Sequence, residues 1–320
     1  MGFSALKRLP PAPPMGPLRL AVKLHGKARR NRDSGTLEDM KDAFKDVREA
    51  VTARDGNTCL ACGIVSVRGG PGLDVHHRDG DHGNNDPANL VTLCPLCHAT
   101  QHFWFLANES PLRGRFQVIY LPRLTQEELN RLAWTMAVAY GKCREGIKAK
   151  GDLKGEEEAV NALTLFQKQI RAVERMILDW GSIPDALPED WSPGSGREDL
   201  RLLADPVALA DVLVHLTKEC PRKTRGTNAM WKEMDALLYG LRVCFSPTSE
   251  PLQRLAKPFM SMGAWNTAGD DWLGDWKTLS AAVMKRLRER PQRARISSSR
   301  IRAEKPPSQT KGVPGREGAK

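Results

Sequence analysis

Apolar residues recur along this chain with two different periods, and the changes of period mark its elements. Leu18-Arg19-Leu20-Ala21-Val22-Lys23-Leu24 alternates like a short strand, behind a Pro-rich, basic stretch at 1–17 that reads as flexible. From Thr36 onward, Leu37, Met40, Phe44, Val47 and Val51 fall on one stripe of a helix that delivers the chain to its first cysteine pair. Gln117-Val118-Ile119-Tyr120-Leu121-Pro122 then reads as a strand stopped by proline. Thr125-x-x-Glu128 follows as a capping box, opening a helix through Leu129, Leu132, Trp134, Met136 and Val138. Residues 141–157 are charged and glycine-containing, which predicts a linker or exposed loop. Beyond it the pattern is helical: a long amphipathic helix at 158–180, a Pro/Gly/Ser-rich connection near 182–196, and a helix from the N-cap Asp205-Pro206 to about His215. Two further helical patterns lie near 228–243 and 276–290. Trp265, Trp272 and Trp276 read as core or docking residues, and no internal repeat is visible.

Between the two strand-like segments the apolar pattern gives way to cysteine and histidine. Cys59-Leu60-Ala61-Cys62 and Cys94-Pro95-Leu96-Cys97 form a C-x2-C…C-x2-C pattern with 31 residues between the inner cysteines. Two such turns, each aiming two thiolates at one ion, complete a tetrahedral zinc site that is closed and structural. Four buried or redox-active thiols are the competing reading. Five of the seven histidines lie between positions 76 and 102. His98 and His102 are four apart, which on a helix shares a face, and His76 ends a strand-like Asp74-Val75-His76-His77 run. A second divalent ion (Mg2+, Mn2+ or Zn2+) could be held by His76, His98 and His102; a polar surface, or extra ligands exchanging at the zinc, is the alternative. Asp79, Asp81 and His82 read as part of a solvated Gly/Asn/Asp turn and take no ligand role.

Charge narrows the partners less than its total implies. The chain carries +11, but 1–32 holds eight Lys/Arg and no acid (+8) and 291–320 holds eight against two Glu (+6), leaving −3 for 33–290. The basic tails read first as solvated charge with a nonspecific role, nucleic-acid or anionic-membrane contact being the alternative, and the last thirty residues read as disordered, whereas 52–102 carries three Arg against five Asp. Seven cysteines in 320 residues are too few for a disulfide scaffold, no secretory signal is visible, and the longest apolar stretch, Leu132–Tyr140, is about half a bilayer span. These features predict a cytoplasmic protein without a transmembrane segment.

Taken together, Arg54-Asp55-Gly56-Asn57-Thr58-Cys59-x-x-Cys62, His76-His77, and Asn89-Leu90-Val91-Thr92-Leu93-Cys94-x-x-Cys97-His98 resemble the HNH nuclease family across its core motif. The resemblance implies an α+β chain: a small zinc-bound ββα-metal (HNH) module followed by a mainly helical region. It implies His77 as general base and Asn89 as the residue that positions the base and its loop. His76 and His98 would be ligands of a catalytic metal, and His102 an additional ligand. Such chemistry suits phosphodiester hydrolysis, where an imidazole deprotonates water near neutral pH and a cation stabilises charge building on the phosphate. The domain boundaries expected are 1–17 (flexible basic segment), 18–142 (zinc module with flanking strand and helices), 143–157 (linker), 158–290 (helical domain) and 291–320 (basic tail).

The likeness runs past this core. The first C-x-x-C, Asp79-Gly80-Asp81-x-x-Asn84-Asn85, Asn89-Leu90-Val91-Thr92, the second C-x-x-C, and Val118-Ile119-Tyr120-Leu121-Pro122-x-Leu124-Thr125-Gln126-x-Glu128-Leu129-Asn130 resemble the IcmJ (DotN) family. Asp205-Pro206 and Leu241-Arg242-Val243 continue the likeness more loosely. That resemblance implies a zinc-binding, cytoplasmic adaptor in the coupling complex of a type IVB secretion or conjugation system, peripheral to the inner membrane through its protein partners. The alternative is a metal-dependent DNA endonuclease using His77. The intact histidine set favours the enzyme, and the near-neutral module together with Leu121-Pro122-x-x-Thr125-Gln126-x-Glu128 favours the adaptor. Cys143, Cys220 and Cys244 are expected to be small buried residues.

Overall fold

A computed structural model describes residues 37–66, 72–80, 84–148, 153–180, 203–219 and 238–261, with positions 9, 11–12, 15–18, 20–21 and 183. Helix α1, Leu37–Arg54, forms where the stripe predicted it, buries Val51, and ends where Gly56 (φ 64°) and Asn57 (φ 53°) reverse the chain. A bridge between Thr58 and Val65 then frames the first cysteine pair. Strands β1 (Asp74–His77) and β2 (Leu90–Leu93) pair antiparallel with His76 opposite Val91 and His77 opposite Leu90. Cys94 is the N-cap of α2 (Pro95–Gln101), whose first position is the proline that a helix start tolerates. The result is an α+β chain with a ββα unit at its centre. At His102 (φ −117°, ψ 50°) the helix breaks before α3, Phe103–Asn108. The face shared by His98 and His102 is therefore the last turn of α2 and its cap, not a continuous helix.

The remainder wraps this unit around one long helix. The capping box forms as expected: the Glu128 carboxylate accepts from the Thr125 N–H (2.9 Å) and the Thr125 hydroxyl accepts from the Glu128 N–H (3.2 Å). It opens α4, Gln126–Lys148, which buries Leu129, Ala133, Trp134, Ala137 and Val138 among others. Helix α5 (Leu153–Glu174) packs along α4, α6 (Pro206–Glu219) packs on α3, and α7 (Glu250–Ser261) packs on α4. Asp205 caps α6 through its carboxylate, which accepts from the Val207 and Ala208 N–H groups. No described helix is long and apolar enough to cross a membrane.

Three expectations need correction. Residues 143–157 are not a linker: α4 continues to Lys148 and α5 starts at Leu153, because Cys143 on α4 and Ala159 and Ala162 on α5 are buried and extend the packed surface. Leu241–Phe245 is not the end of a helix. It is strand β4, paired antiparallel with β3 (Phe116–Tyr120), Phe116 opposite Phe245 and Tyr120 opposite Leu241. A five-residue run of Leu, Arg, Val, Cys and Phe fits either period, and the edge of β3 decides it. That pairing also ties 18–142 to the region expected to stand alone at 158–290. Gly240 permits the entry into β4, since a Cβ there would lie 2.3 Å from the Tyr120 ring. Ala21, expected in a strand, instead bridges the α2–α3 break, donating to the Thr100 carbonyl and accepting from the Phe103 N–H. Helix α7 had no counterpart in the sequence reading. Residues 22–24, Cys220, the 276–290 helix, Trp265, Trp272 and Trp276, and both charged tails apart from scattered positions near the start lie outside the described residues.

Candidate metal centres

Cys59 and Cys62 lie on the turn closed by the Thr58–Val65 bridge, and Cys94 and Cys97 on the first turn of α2. Gly63, with φ 76°, donates its N–H to the Cys59 carbonyl (2.8 Å), a left-handed position that a side chain would strain. Leu60 donates to the Thr92 carbonyl (3.0 Å), which docks the first turn onto β2. The four cysteine sulfurs lie within 4.8 Å of one another and all four residues are buried. Cys62 and Cys94 sulfurs are 3.7 Å apart, far beyond a disulfide bond.

The electrostatics of this cluster fit a bound dication. The neighbouring thiols of Cys62, Cys94 and Cys97 hydrogen-bond the Cys59 sulfur and hold it ionised well below the ordinary thiol range. Burial, reinforced by the charge of the neighbouring sulfurs, pushes Cys94 and Cys97 well above that range. Ionisation of Cys94 and Cys97 is thus opposed by their burial, an opposition that a dication at the centre removes. Four cysteine sulfurs within 4.8 Å of one another are a donor set suited to a metal such as zinc.

The histidines form a second cluster on the same unit. Alternation along β1 sends Asp74 and His76 to one side and His77 to the other. His76 turns toward α2, where its ring centroid lies 5.4 Å from His98 and 5.2 Å from His102, with His98 and His102 4.6 Å apart. The three planes meet at 76–78°, and one nitrogen of each ring lies within 4.8 Å of the others, so three imidazoles converge as they would around one cation. His98 Nδ1 is 3.2 Å from the Asp74 carboxylate, which Arg48 approaches at 3.6 Å while donating to the Leu73 carbonyl. A carboxylate behind a ligand histidine fixes its tautomer and strengthens it as a donor. Asp74 was given no role in the sequence reading, although its place two residues before His76 on the same strand face was a signal for it.

His77 sits beside this trio on the opposite strand face, its Nε2 2.9 Å from Asn85 Oδ1. Asn89 braces the loop that carries Asn85. Its Nδ2 donates to Asp79 Oδ1 (2.9 Å) and to the Asn84 carbonyl (3.0 Å), and its Oδ1 accepts from the Asp79 N–H (3.1 Å). Asp79 therefore belongs to the turn, as the sequence indicated; 81–83, with Asp81 and His82, lie outside the described residues. Arg54 and Asp55 anchor the unit to α1. The guanidinium grips the Asp55 carboxylate with two bonds (2.7 and 3.1 Å) and donates to the Pro87 and Leu90 carbonyls, while Asp55 accepts from the Thr92 N–H (2.9 Å). The bracing residues Arg48, Asn85, Asn130 and Trp134 were missed, because their partners lie elsewhere in the fold.

The comparisons with known proteins follow the same geometry. Residues 59–103 match the family described as HNH endonuclease. The type 4 apparatus protein DotN of Legionella pneumophila subsp. pneumophila is 36% identical over 98 residues, covering 31% of this chain and 44% of DotN. H-N-H endonuclease F-TflIV of Escherichia phage T5 is 48% identical over 42 residues, covering 13% of this chain and 18% of that protein. The similarity thus spans less than half the length of either relative. The match to DotN is longer than the HNH segment and so reaches beyond it.

Proposed function

We propose that this chain is an HNH-fold component of a type IVB secretion or conjugation apparatus, acting as a cytoplasmic adaptor of the coupling complex. The observation that carries the reading is the similarity to DotN, which extends past the segment matched as HNH. In this role the cysteine site holds zinc as a structural staple. Zinc there fixes two turns and one helix start in a unit too small to bury a large core of its own. The cysteine turns, β1, β2 and α2 then serve as a rigid base from which the helical remainder meets protein partners. Co-expression with a type IVB coupling ATPase, followed by size-exclusion chromatography, tests the role. Co-elution is the expected outcome, and separate elution at micromolar concentrations counts against it.

A second reading, a metal-dependent DNA endonuclease, is favoured by the convergence of His76, His98 and His102 next to His77. In that role these three histidines hold a divalent ion (Mg2+, Mn2+ or Zn2+), which supplies a positive centre for the phosphate oxygens. His77 takes a proton from water and Asn89 keeps its loop in register. The Arg/Asp balance of 52–102 leaves DNA attraction to flanking segments such as the basic tails. Plasmid incubated with the protein and Mg2+, Mn2+ or Ni2+, beside a His77→Ala variant of unchanged fold and zinc content, decides. Cleavage lost in the variant establishes the enzyme, and intact plasmid in every metal leaves the unit as a scaffold.

A further inference from the structure

Three side chains of α4, at i, i+1 and i+4, reach the cysteine cluster from outside the HNH segment. Asn130 Nδ2 donates to Cys97 Sγ (3.3 Å), Trp134 Nε1 donates to Cys94 Sγ (3.4 Å), and Arg131 Nε donates to the Cys62 carbonyl (2.6 Å). Asn130 and Trp134 are 0% and 1% exposed. An indole N–H can only donate, so at this depth it needs an acceptor, and the sulfur is that acceptor.

The direction of the Asn130 amide follows from its neighbours. The Val243 N–H donates to Gln126 Oε1 (2.9 Å), so the other end of the Gln126 amide is its Nε2. That Nε2 donates to the Val243 carbonyl and to Asn130 Oδ1, both at 2.9 Å. With Oδ1 so engaged, Asn130 presents Nδ2 to the sulfur. A chain of hydrogen bonds therefore runs from the backbone of β4 to a candidate metal ligand. Four thiolates around a dication carry a net charge of about −2, and N–H groups aimed at the sulfurs offset it in a buried setting.

We propose that Asn130 and Trp134 are positioning residues of the cysteine metal site, their N–H groups setting how firmly Cys97 and Cys94 hold the ion. The inference rests on the reading of the four cysteines as a zinc site. Gln126 extends the arrangement to β4, so the site's support includes a strand far along the chain.

The test uses full-length protein with Trp134→Phe and Asn130→Leu, beside Met136→Leu, a buried α4 change in the separate cluster facing α5. Zinc transfer to a chromogenic chelator and the sulfur-to-cobalt absorption of the Co2+-substituted proteins are measured. Trp134→Phe and Asn130→Leu are expected to weaken zinc retention by about 10- to 100-fold and to shift the cobalt band, with Met136→Leu changing neither. Wild-type retention and an unshifted band in both variants overturn the proposal. If Asn130→Leu does not fold, Trp134→Phe decides alone, since phenylalanine keeps most of the ring. A wild-type protein that takes up neither zinc nor cobalt overturns the metal-site reading and this inference with it.

Discussion

The ion pair between Arg54 and Asp55, at the end of α1 just before the HNH segment, is enclosed, with side chains 6% and 0% exposed. Removing one partner leaves a buried charge and an unsatisfied Thr92 N–H, a type of loss that costs about 3–5 kcal/mol. Asp55→Ala is therefore expected to lower the unfolding free energy measured by urea titration by an amount of that size, and a change under about 1 kcal/mol would contradict the packing described. Cys244 offers a test of local environment. It is half-buried against the cluster of Ile119, Leu121 and Met176, and burial pushes its thiol up to about 11. Only about a thousandth of it is thiolate at pH 8, so its alkylation rate should keep climbing past pH 9, where an ordinary thiol levels off. Mass spectrometry of the labelled peptide reads this directly. Histidine and cysteine identities were legible in the sequence because ligand chemistry is a property of residue type and short spacing. Asn85 was not legible as the neighbour of His77, since nothing in an Asn-Asn pair distinguishes a turn former from a hydrogen-bond partner.

At the scale of elements, α4 carries most of the structure that was hidden. Its start is local, read from Thr125 and Glu128, but its second role depends on what packs around it. Against α7 it presents Gly141, where a Cβ would lie 2.0 Å from Met260 Cε and 2.4 Å from its sulfur. Gly141→Ala pushes aside only the flexible end of Met260 and gains about 1 kcal/mol of helix propensity, so its net cost is expected to stay under about 1 kcal/mol and to fall further in a Met260→Ala background. A double-mutant cycle by chemical denaturation measures the difference; additive costs would show that the two sites do not touch. Along its N-terminal turn Gln126 replaces a missing strand neighbour for Val243, supplying both a donor and an acceptor. The capping box was visible because its partners are three residues apart. The Gln126–Val243 pairing was not, because its partners are 117 residues apart and leave no periodic trace.

For the whole molecule, the cysteine site joins segments that the sequence separates. It holds the first cysteine turn and α2 directly, and through Asn130 and Trp134 it meets α4, which in turn supports β4. Stripping the metal with a chelator is expected to speed amide exchange at Leu60 and Val243 well before it affects the α4–α5 contact. Hydrogen exchange resolved by peptide measures this, and equal protection with and without metal would mean that the staple supports no more than its own turns. Each cysteine pair, the His98–His102 spacing, the capping box and the start of α6 were legible because each depends on residues within a few positions of each other, whereas the meeting of the two pairs, and of His76 with His98 and His102, is made across the fold. Tertiary structure alone decided that Leu241–Phe245 is a strand, that 143–157 is largely helical, and that α4 donates to the cysteine sulfurs. Each of these turns on a contact made across the fold, where an unpaired strand edge or a buried donor accepts whatever partner the packing brings.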